Sequence, residues 1–173
     1  MSDMDAKKRL MYISGEDFYH YCYSIIVILD YLLCYEDKYF RDYRKLAFLI
    51  EIINSGKVVY IVSQEAERLL NPKDTEHLLD AYSAGLTKRS EILKLLFAME
   101  KRGYISLKRG NGQDIDVSLN KSNLPDGFCD KSMFTDEYDS TKKVSKAVKR
   151  LASLKLETFL EKVYVNNGVK TWA

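Results

Sequence analysis

Residues Leu86 to Leu119, LTKRSEILKLLFAMEKRGYISLKRGNGQDIDVSL, carry the strongest structural pattern in the chain. In the first half of this stretch, apolar side chains recur at intervals of three and four residues, which predicts one buried face of an α-helix. The residues of that face are Ile92, Leu95, Leu96 and Met99. Thr87 is a suitable N-cap for the helix, and Gly103 is a suitable residue to end it.

A β-hairpin is predicted directly after Gly103. Short apolar runs lie on both sides of Gly110-Asn111-Gly112, whose residues tolerate the positive φ angles of a tight turn. The apolar residues are Tyr104, Ile105 and Leu107 before the turn and Ile115, Val117 and Leu119 after it. The stretch therefore predicts a helix followed by a two-stranded wing.

A shorter helix is predicted upstream, with Asp74 or Thr75 as its cap and Gly85 as its end. Helix, turn at Gly85, helix and hairpin is the order of a winged helix-turn-helix. We therefore predict a mainly α fold with a small β-hairpin wing. Its winged helix-turn-helix core is joined to a buried N-terminal helix and to a C-terminal amphipathic helix.

The flanking segments follow from the same rules. Residues 17–35 are apolar on nearly every side, which predicts a buried helix, and residues 40–54 form a second helical pattern. The β-branched run 58–62 favours a strand, although a buried connection of the same composition would look identical. A further amphipathic helix is predicted from Ser140 to Phe159.

These elements divide the chain into four predicted parts. They are a flexible N-terminus (1–16), a winged-helix domain with an N-terminal helical extension (17–120), an acidic connecting arm (121–139), and a C-terminal amphipathic helix with its tail (140–173). Residues 86–110 hold seven basic and two acidic side chains, whereas residues 111–140 hold two basic and seven acidic ones. Such charge blocks favour contact with an anionic partner or with another charged part of one assembly.

The basic residues of the predicted helix and wing are candidates for DNA binding. A winged helix places its second helix in the major groove, while the wing contacts phosphates or the minor groove. The candidates are Thr87, Lys88, Arg89, Ser90, Lys94, Lys108 and Arg109. The same charges also fit the solvated surface of a domain that binds protein, and the fold alone does not separate these two functions.

Aromatic and apolar side chains on either side of the predicted core are candidates for partner binding. Eight of the thirteen tyrosines lie in the first quarter of the chain, and the helix predicted from Ser140 carries an apolar stripe. The candidate residues are Tyr31, Tyr35, Tyr39, Phe40, Val144, Val148, Leu151, Leu154 and Phe159. The basic side chains of that last helix fit contact with DNA, contact with an acidic protein, or simple exposure to water.

No catalytic motif is present in the sequence, and no cofactor or metal is predicted. His20 lies in an apolar helix without a zinc-type spacing to Cys22 and Cys34, so we expect a core histidine. Asp114 and Asp116 share one side of a predicted strand without a third acidic ligand nearby. We therefore expect solvated carboxylates rather than a magnesium site.

The cellular location is predicted from cysteine use and from the apolar run at the N-terminal end. Three cysteines without a CxxC pair, and no cleavable signal sequence before them, favour the cytoplasm. The run from Phe18 to Tyr35 has the length of a membrane span. Because it contains Asp30, whose charge is costly in hydrocarbon, no membrane partner is predicted.

Two segments of this chain carry a resemblance to a known family. They are FRDYRKLAFLIEIINSG (40–56) and LLDAYSAGLTKRSEILKLLFAMEKRGYISL (78–107). Together with the buried aromatic helix before them, they resemble the middle components of bacterial ABC-three-component systems, including the Lamassu type of anti-phage defence. The resemblance covers residues 18 to 119 and implies a small winged-helix accessory subunit. Such a subunit binds an SMC- or Rad50-like ATPase and works beside a separate effector, often a nuclease.

Charge, architecture and resemblance lead to one functional expectation and one alternative. We expect a non-catalytic accessory subunit in anti-phage or anti-plasmid defence, which bridges the ATPase and the effector and contacts double-stranded DNA. The alternative is a free-standing winged-helix transcriptional regulator that dimerises through the helix from Ser140.

Overall fold

The protein is mainly helical and contains one two-stranded antiparallel sheet, in a computed structural model that describes residues 17–64 and 70–171. The helices are α1 (Asp17–Tyr31), α2 (Tyr43–Ile53), α3 (Gly56–Ser63), α4 (Pro72–Lys101), α5 (Thr135–Ala147) and α6 (Leu156–Val163). The strands are β1 (Ile105–Arg109) and β2 (Ile115–Leu119), and short 3-10 turns lie at Lys121–Asn123 and Val165–Asn167. The predicted flexible N-terminus, 1–16, lies outside the described residues.

Helix α4 is continuous, so the predicted turn at Gly85 is wrong. Gly85 lies where α4 packs against α2, and a Cβ atom at this position would be only 2.5 Å from Cδ1 of Phe48. Gly85 therefore permits α4 and α2 to approach closely, and α4 continues through it. Thr87 lies inside α4 and is not an N-cap, because its hydroxyl donates to the Ser83 carbonyl at 2.9 Å. The true N-cap is Asn71, whose side chain accepts from the Asp74 amide.

The hairpin prediction is confirmed. Helix α4 ends at Lys101, and Gly103 follows with φ of 80°. The register pairs Ile105 with Leu119, Leu107 with Val117 and Arg109 with Ile115. The segment after α1 extends this small sheet, because the amide and carbonyl of Phe40 both bond Val117 in an antiparallel bridge.

The run 58–62 is helical in α3, so the strand prediction is wrong. Ser55 caps this helix, since its hydroxyl accepts from the Val58 amide at 3.3 Å. Four side chains of α3 are buried in the core: Val58, Val59, Ile61 and Val62. The β-branched composition suited a strand. Burial against neighbouring helices and the serine cap decide the local conformation instead.

The helix predicted from Ser140 to Phe159 is two helices, which makes that prediction wrong. Helix α5 begins earlier, at Thr135 inside the predicted acidic arm, and ends at Ala147. A turn containing Arg150 at φ of 61° follows, and α6 begins at Leu156. The turn is held to the start of α2, because the Arg41 amide donates to the Ala152 carbonyl at 2.8 Å.

One core joins these helices. Phe48 of α2 stacks on Tyr82 of α4 with ring centres 5.4 Å apart, and Phe159 and Tyr164 pack against them from the C-terminal side. The predicted arm is also anchored to this body. Tyr138 donates to Asp30 at 2.6 Å, and burial together with this contact raises the pKa of the tyrosine.

A helix that crosses a membrane must be long and predominantly apolar. Within 17–64 and 70–171, no single helix is both long enough and apolar enough to cross a membrane. Helices α2 and α3 meet the length and composition requirements only when taken together, and they are bent by 108° at the break between them.

Candidate nucleic-acid interface

Three of the predicted DNA-binding residues share an exposed face of α4. Thr87, Ser90 and Lys94 are exposed, and their spacing of three and four residues places them on one side of the helix. Consecutive residues of a helix point in different directions, so Thr87, Lys88, Arg89 and Ser90 cannot all contact one ligand. The sequence-based set therefore divides into an outward and an inward group.

Lys88 and Arg89 form the inward group. Lys88 lies 5.5 Å from the ring centre of Tyr21 in α1, and its ammonium is 3.8 Å from Glu91. Arg89 packs toward α2, with its guanidinium 5.7 Å from the Phe48 ring, and its Nε and Nη2 atoms are buried with no hydrogen-bond partner among the residues that the structure describes. Burial and the nearby Arg44 lower the pKa of Arg89. Both residues therefore belong to contacts between helices.

The wing tip presents the remaining candidates. Lys108 and Arg109 are exposed at the end of β1, and Lys108 lies 5.6 Å from the ring centre of Tyr39. With Arg41 and Asn111, they line a concavity of about 390 Å³. Arg41, which precedes α2, was not among the sequence-based candidates. Arg41 lies at the concavity because the chain segment before α2 packs against the wing, and the sequence does not show this contact.

Asp114 and Asp116 line the same concavity, and the expectation that they are simply solvated is wrong. Asp114 accepts from Nη2 of Arg44 at 2.7 Å, and Asp116 accepts from the main-chain amide of Asp42 at 3.0 Å. Arg44 also bonds the Asp42 carboxylate, and this hydrogen bond raises the pKa of the arginine. Both wing acids are therefore bonded within the protein, Asp114 by a cation and Asp116 by a neutral amide, beside the exposed cations Lys108 and Arg109.

Most of the predicted partner-binding residues lie in the interior, which corrects their assignment to a docking surface. Five are buried in the core of the same chain: Phe40, Val144, Val148, Leu151 and Phe159. The others are half-buried: Tyr31, Tyr35, Tyr39 and Leu154. The apolar stripe of the C-terminal helices was identified correctly, but it packs against α1, α2 and α3 of the same chain.

His20 and Cys22 lie in α1, and Cys34 follows it. His20 is exposed, contrary to the expectation of a core histidine. Burial raises the pKa of Cys22 to about 12 and that of Cys34 to about 11, which opposes formation of a reactive thiolate. Over the described part of the chain, no group of three or more His, Cys, Asp or Glu side chains is placed to hold a metal ion.

The surface is thus a basic wing tip on a helical body, with exposed polar residues along α4. Its lysines and arginines can contact phosphates. Comparison of the chain with protein-family models, with curated proteins and with solved structures finds no match.

Proposed function

We propose that this protein is a non-catalytic accessory subunit with a winged-helix fold, which contacts double-stranded DNA through its wing. In this proposal α3 and α4 form the helix-turn-helix, and β1 and β2 form the wing. Phe40 supplies a short third strand, because it pairs with Val117 on the far edge of β2. This assignment no longer uses a turn at Gly85, and the residues 65–69 between its two helices lie outside the described residues.

The observation that carries the DNA contact is the charge arrangement at the wing tip. Lys108, Arg109 and Arg41 line its concavity, while both acids of that concavity already have partners within the protein. Basic side chains on a hairpin suit contact with phosphates, which positions a protein on duplex DNA without reading its sequence. Each phosphate contact releases counterions, so binding weakens as salt is added.

The double variant Lys108→Ala, Arg109→Ala tests this contact. Its affinity for a labelled DNA duplex should fall, and the slope of log affinity against log salt should decrease by about two, one per lost phosphate contact. Lys88 and Arg89 are left in place because they pack inward. The control variant Lys155→Ala, Lys170→Ala removes the same charge from exposed positions elsewhere. Equal binding by both variants would remove the wing from the proposal.

The proposed partner is an SMC- or Rad50-like ATPase subunit, with the accessory subunit joining it to an effector. The outer face of α4 supports a helical partner. Leu79, Leu86 and Leu93 recur at intervals of seven residues, and Phe97 continues the same stripe. Leu79 is 40% exposed and Phe97 is 50% exposed, whereas Leu86 and Leu93 are half-buried and also pack against the core of the same chain. A seven-residue apolar repeat is the pattern by which one helix packs along another.

Co-expression with the products of neighbouring genes, followed by affinity capture, tests the partnership. The wild-type chain should capture a large coiled-coil ATPase, and the variant Leu79→Glu, Phe97→Glu should lose it while keeping its helical circular dichroism. The control variant Met133→Glu, Val165→Glu changes two other exposed apolar side chains and should retain capture. A chain that ignores the ATPase and binds duplex DNA as a dimer would support the regulator instead.

A further inference from the structure

A groove between α3, α5 and α6 gathers lysines from separate parts of the chain. Its volume is about 690 Å³, which is in the range of ligand-binding clefts. Lys143 and Lys146 lie on α5, Lys149 lies two residues after the end of α5, and Lys162 lies in the last turn of α6. All four side chains are exposed. Among the described residues that line the groove, none is acidic.

The groove brings together lysines that the sequence keeps apart. The turn between α5 and α6 reverses the chain, so that Lys162 faces the same concavity as Lys143 and Lys146. The groove wall also includes Ile61, Val62 and Val148, which are buried and belong to the core. A basic rim over a fixed apolar floor is a preformed surface, and it shares no lining residue with the wing concavity.

Helix capping is the simplest alternative explanation of these lysines. Helices α3, α5 and α6 end at Ser63, Ala147 and Val163, and each helix end carries a partial negative charge of about one half. Three such ends amount to about −1.5 elementary charges, which four ammonium groups exceed. Among the described lining residues, the positive charge therefore exceeds the negative charge of the helix ends, which favours an anion.

We propose that this groove binds the phosphate backbone of double-stranded nucleic acid, at a site separate from the wing. Lysine contacts phosphate as a flexible point charge, without the paired geometry by which arginine reads a base. The described lining residues include no aromatic side chain on which an unpaired base could stack, so the groove is poorly suited to single strands. The binding is independent of base sequence and sensitive to salt.

Fluorescence anisotropy with a labelled 30-bp DNA duplex tests the groove, using two variants of equal charge. The groove variant is Lys143→Gln, Lys146→Gln, Lys162→Gln. The control variant is Lys142→Gln, Lys155→Gln, Lys170→Gln, whose lysines are exposed but do not line the groove. The groove variant should bind at least about tenfold more weakly at 100 mM salt, with a salt slope smaller by two to three. The control should bind within about threefold of wild type.

Several outcomes would overturn the inference. Equal weakening in both variants would show that only net charge matters. A lower melting temperature with unchanged affinity would assign the lysines to the helix ends alone. Competition by single-stranded DNA or inorganic polyphosphate that exceeds competition by unlabelled duplex would exclude duplex as the ligand. If the groove variant does not fold, the single variants Lys143→Gln and Lys162→Gln replace it. The wing variant keeps the groove, so the two proposals fail separately.

Discussion

Arg44 and Lys45 are neighbours in α2, and they anchor different parts of the molecule in different ways. Arg44 bonds the carboxylates of Asp42 and Asp114, and 16% of its side chain remains exposed. Lys45 is fully buried, and its ammonium donates to the main-chain carbonyls of Leu151 and Ala152 at 2.7 and 3.3 Å. Arg44 thus holds the wing, whereas Lys45 holds the turn between α5 and α6.

The comparison shows that the bonding partner of a largely buried cation decides the direction in which its pKa shifts. The hydrogen bond with Asp42 raises the pKa of Arg44, so this anchor remains charged at every ordinary pH. Burial lowers the pKa of Lys45 to about 7, because neutral carbonyls do not replace the hydration of an ammonium. The wing anchor should therefore respond to salt, and the core anchor should respond to pH.

Removal of the core anchor should give the largest effect. At pH 9, Lys45→Ala should lower the free energy of unfolding by about 3 kcal/mol, because it leaves a cavity and two carbonyls without their donor. Urea unfolding followed by circular dichroism measures this loss. Lys94→Ala changes an exposed lysine and should cost less than about 0.5 kcal/mol. Equal losses in the two variants would contradict the anchoring role of Lys45.

The pH dependence of stability should give the next largest effect. The folded pKa of Lys45, about 7, lies below its ordinary value of 10.5, so the unfolded chain binds more protons between these values. Stability should therefore rise with pH, by up to about 1.4 kcal/mol per unit. Between pH 7 and 9 the gain should reach about 2 kcal/mol in the wild type and disappear in Lys45→Met.

Above pH 9, two cysteines should reverse the rise of stability with pH. The pKa values of Cys22 and Cys34 are raised above their ordinary value of 9.0, to about 12 and 11. Their contribution is present below pH 9 and is lost at higher pH, in the direction opposite to Lys45. A wild-type curve that is flat from pH 7 to 9, measured by urea unfolding, would contradict the lowered pKa of Lys45.

Removal of the wing anchor should give the smallest effect. Arg44→Gln should lower the free energy of unfolding by about 1 to 2 kcal/mol at low salt, since it separates a partly exposed cation from two carboxylates. At 1 M NaCl, screening should shrink this cost to roughly half. The cost of Lys45→Ala should not change with salt. Thermal or urea unfolding at both salt concentrations would show whether the two anchors differ in this way.

The parts of the fold that were predicted correctly depend on neighbours in sequence. The two strands of the hairpin follow from turn chemistry at residues 110–112 and from apolar residues on both sides. The register was not predicted, because the observed pairing of Arg109 with Ile115 leaves residues 110–114 as the loop. The helix end predicted at Gly85 was wrong, because Gly85 lies inside α4. A glycine inside a helical pattern signals either a helix end or a close helix contact, and only the position of Phe48 shows which one applies.

The candidate site shows the same division. Exposed Lys94, Lys108 and Arg109 were identified from the sequence, but the inward direction of Arg89 depends on the position of α2. The apolar residues Val144 and Phe159 were recognised as one stripe, and the sequence did not show that their own chain covers them. Amphipathic spacing shows that a face is buried without showing what buries it.

The sequence by itself determined the mainly helical class, the two strands of the hairpin, and the helix end at Gly103, because these follow from interactions within a few residues. Only the tertiary structure decided the helical state of residues 58–62, the continuity of α4, the break between α5 and α6, and the lysine groove. These features depend on contacts between distant segments. Such contacts outweigh local preferences because burying apolar side chains contributes more free energy than the propensity of a single residue.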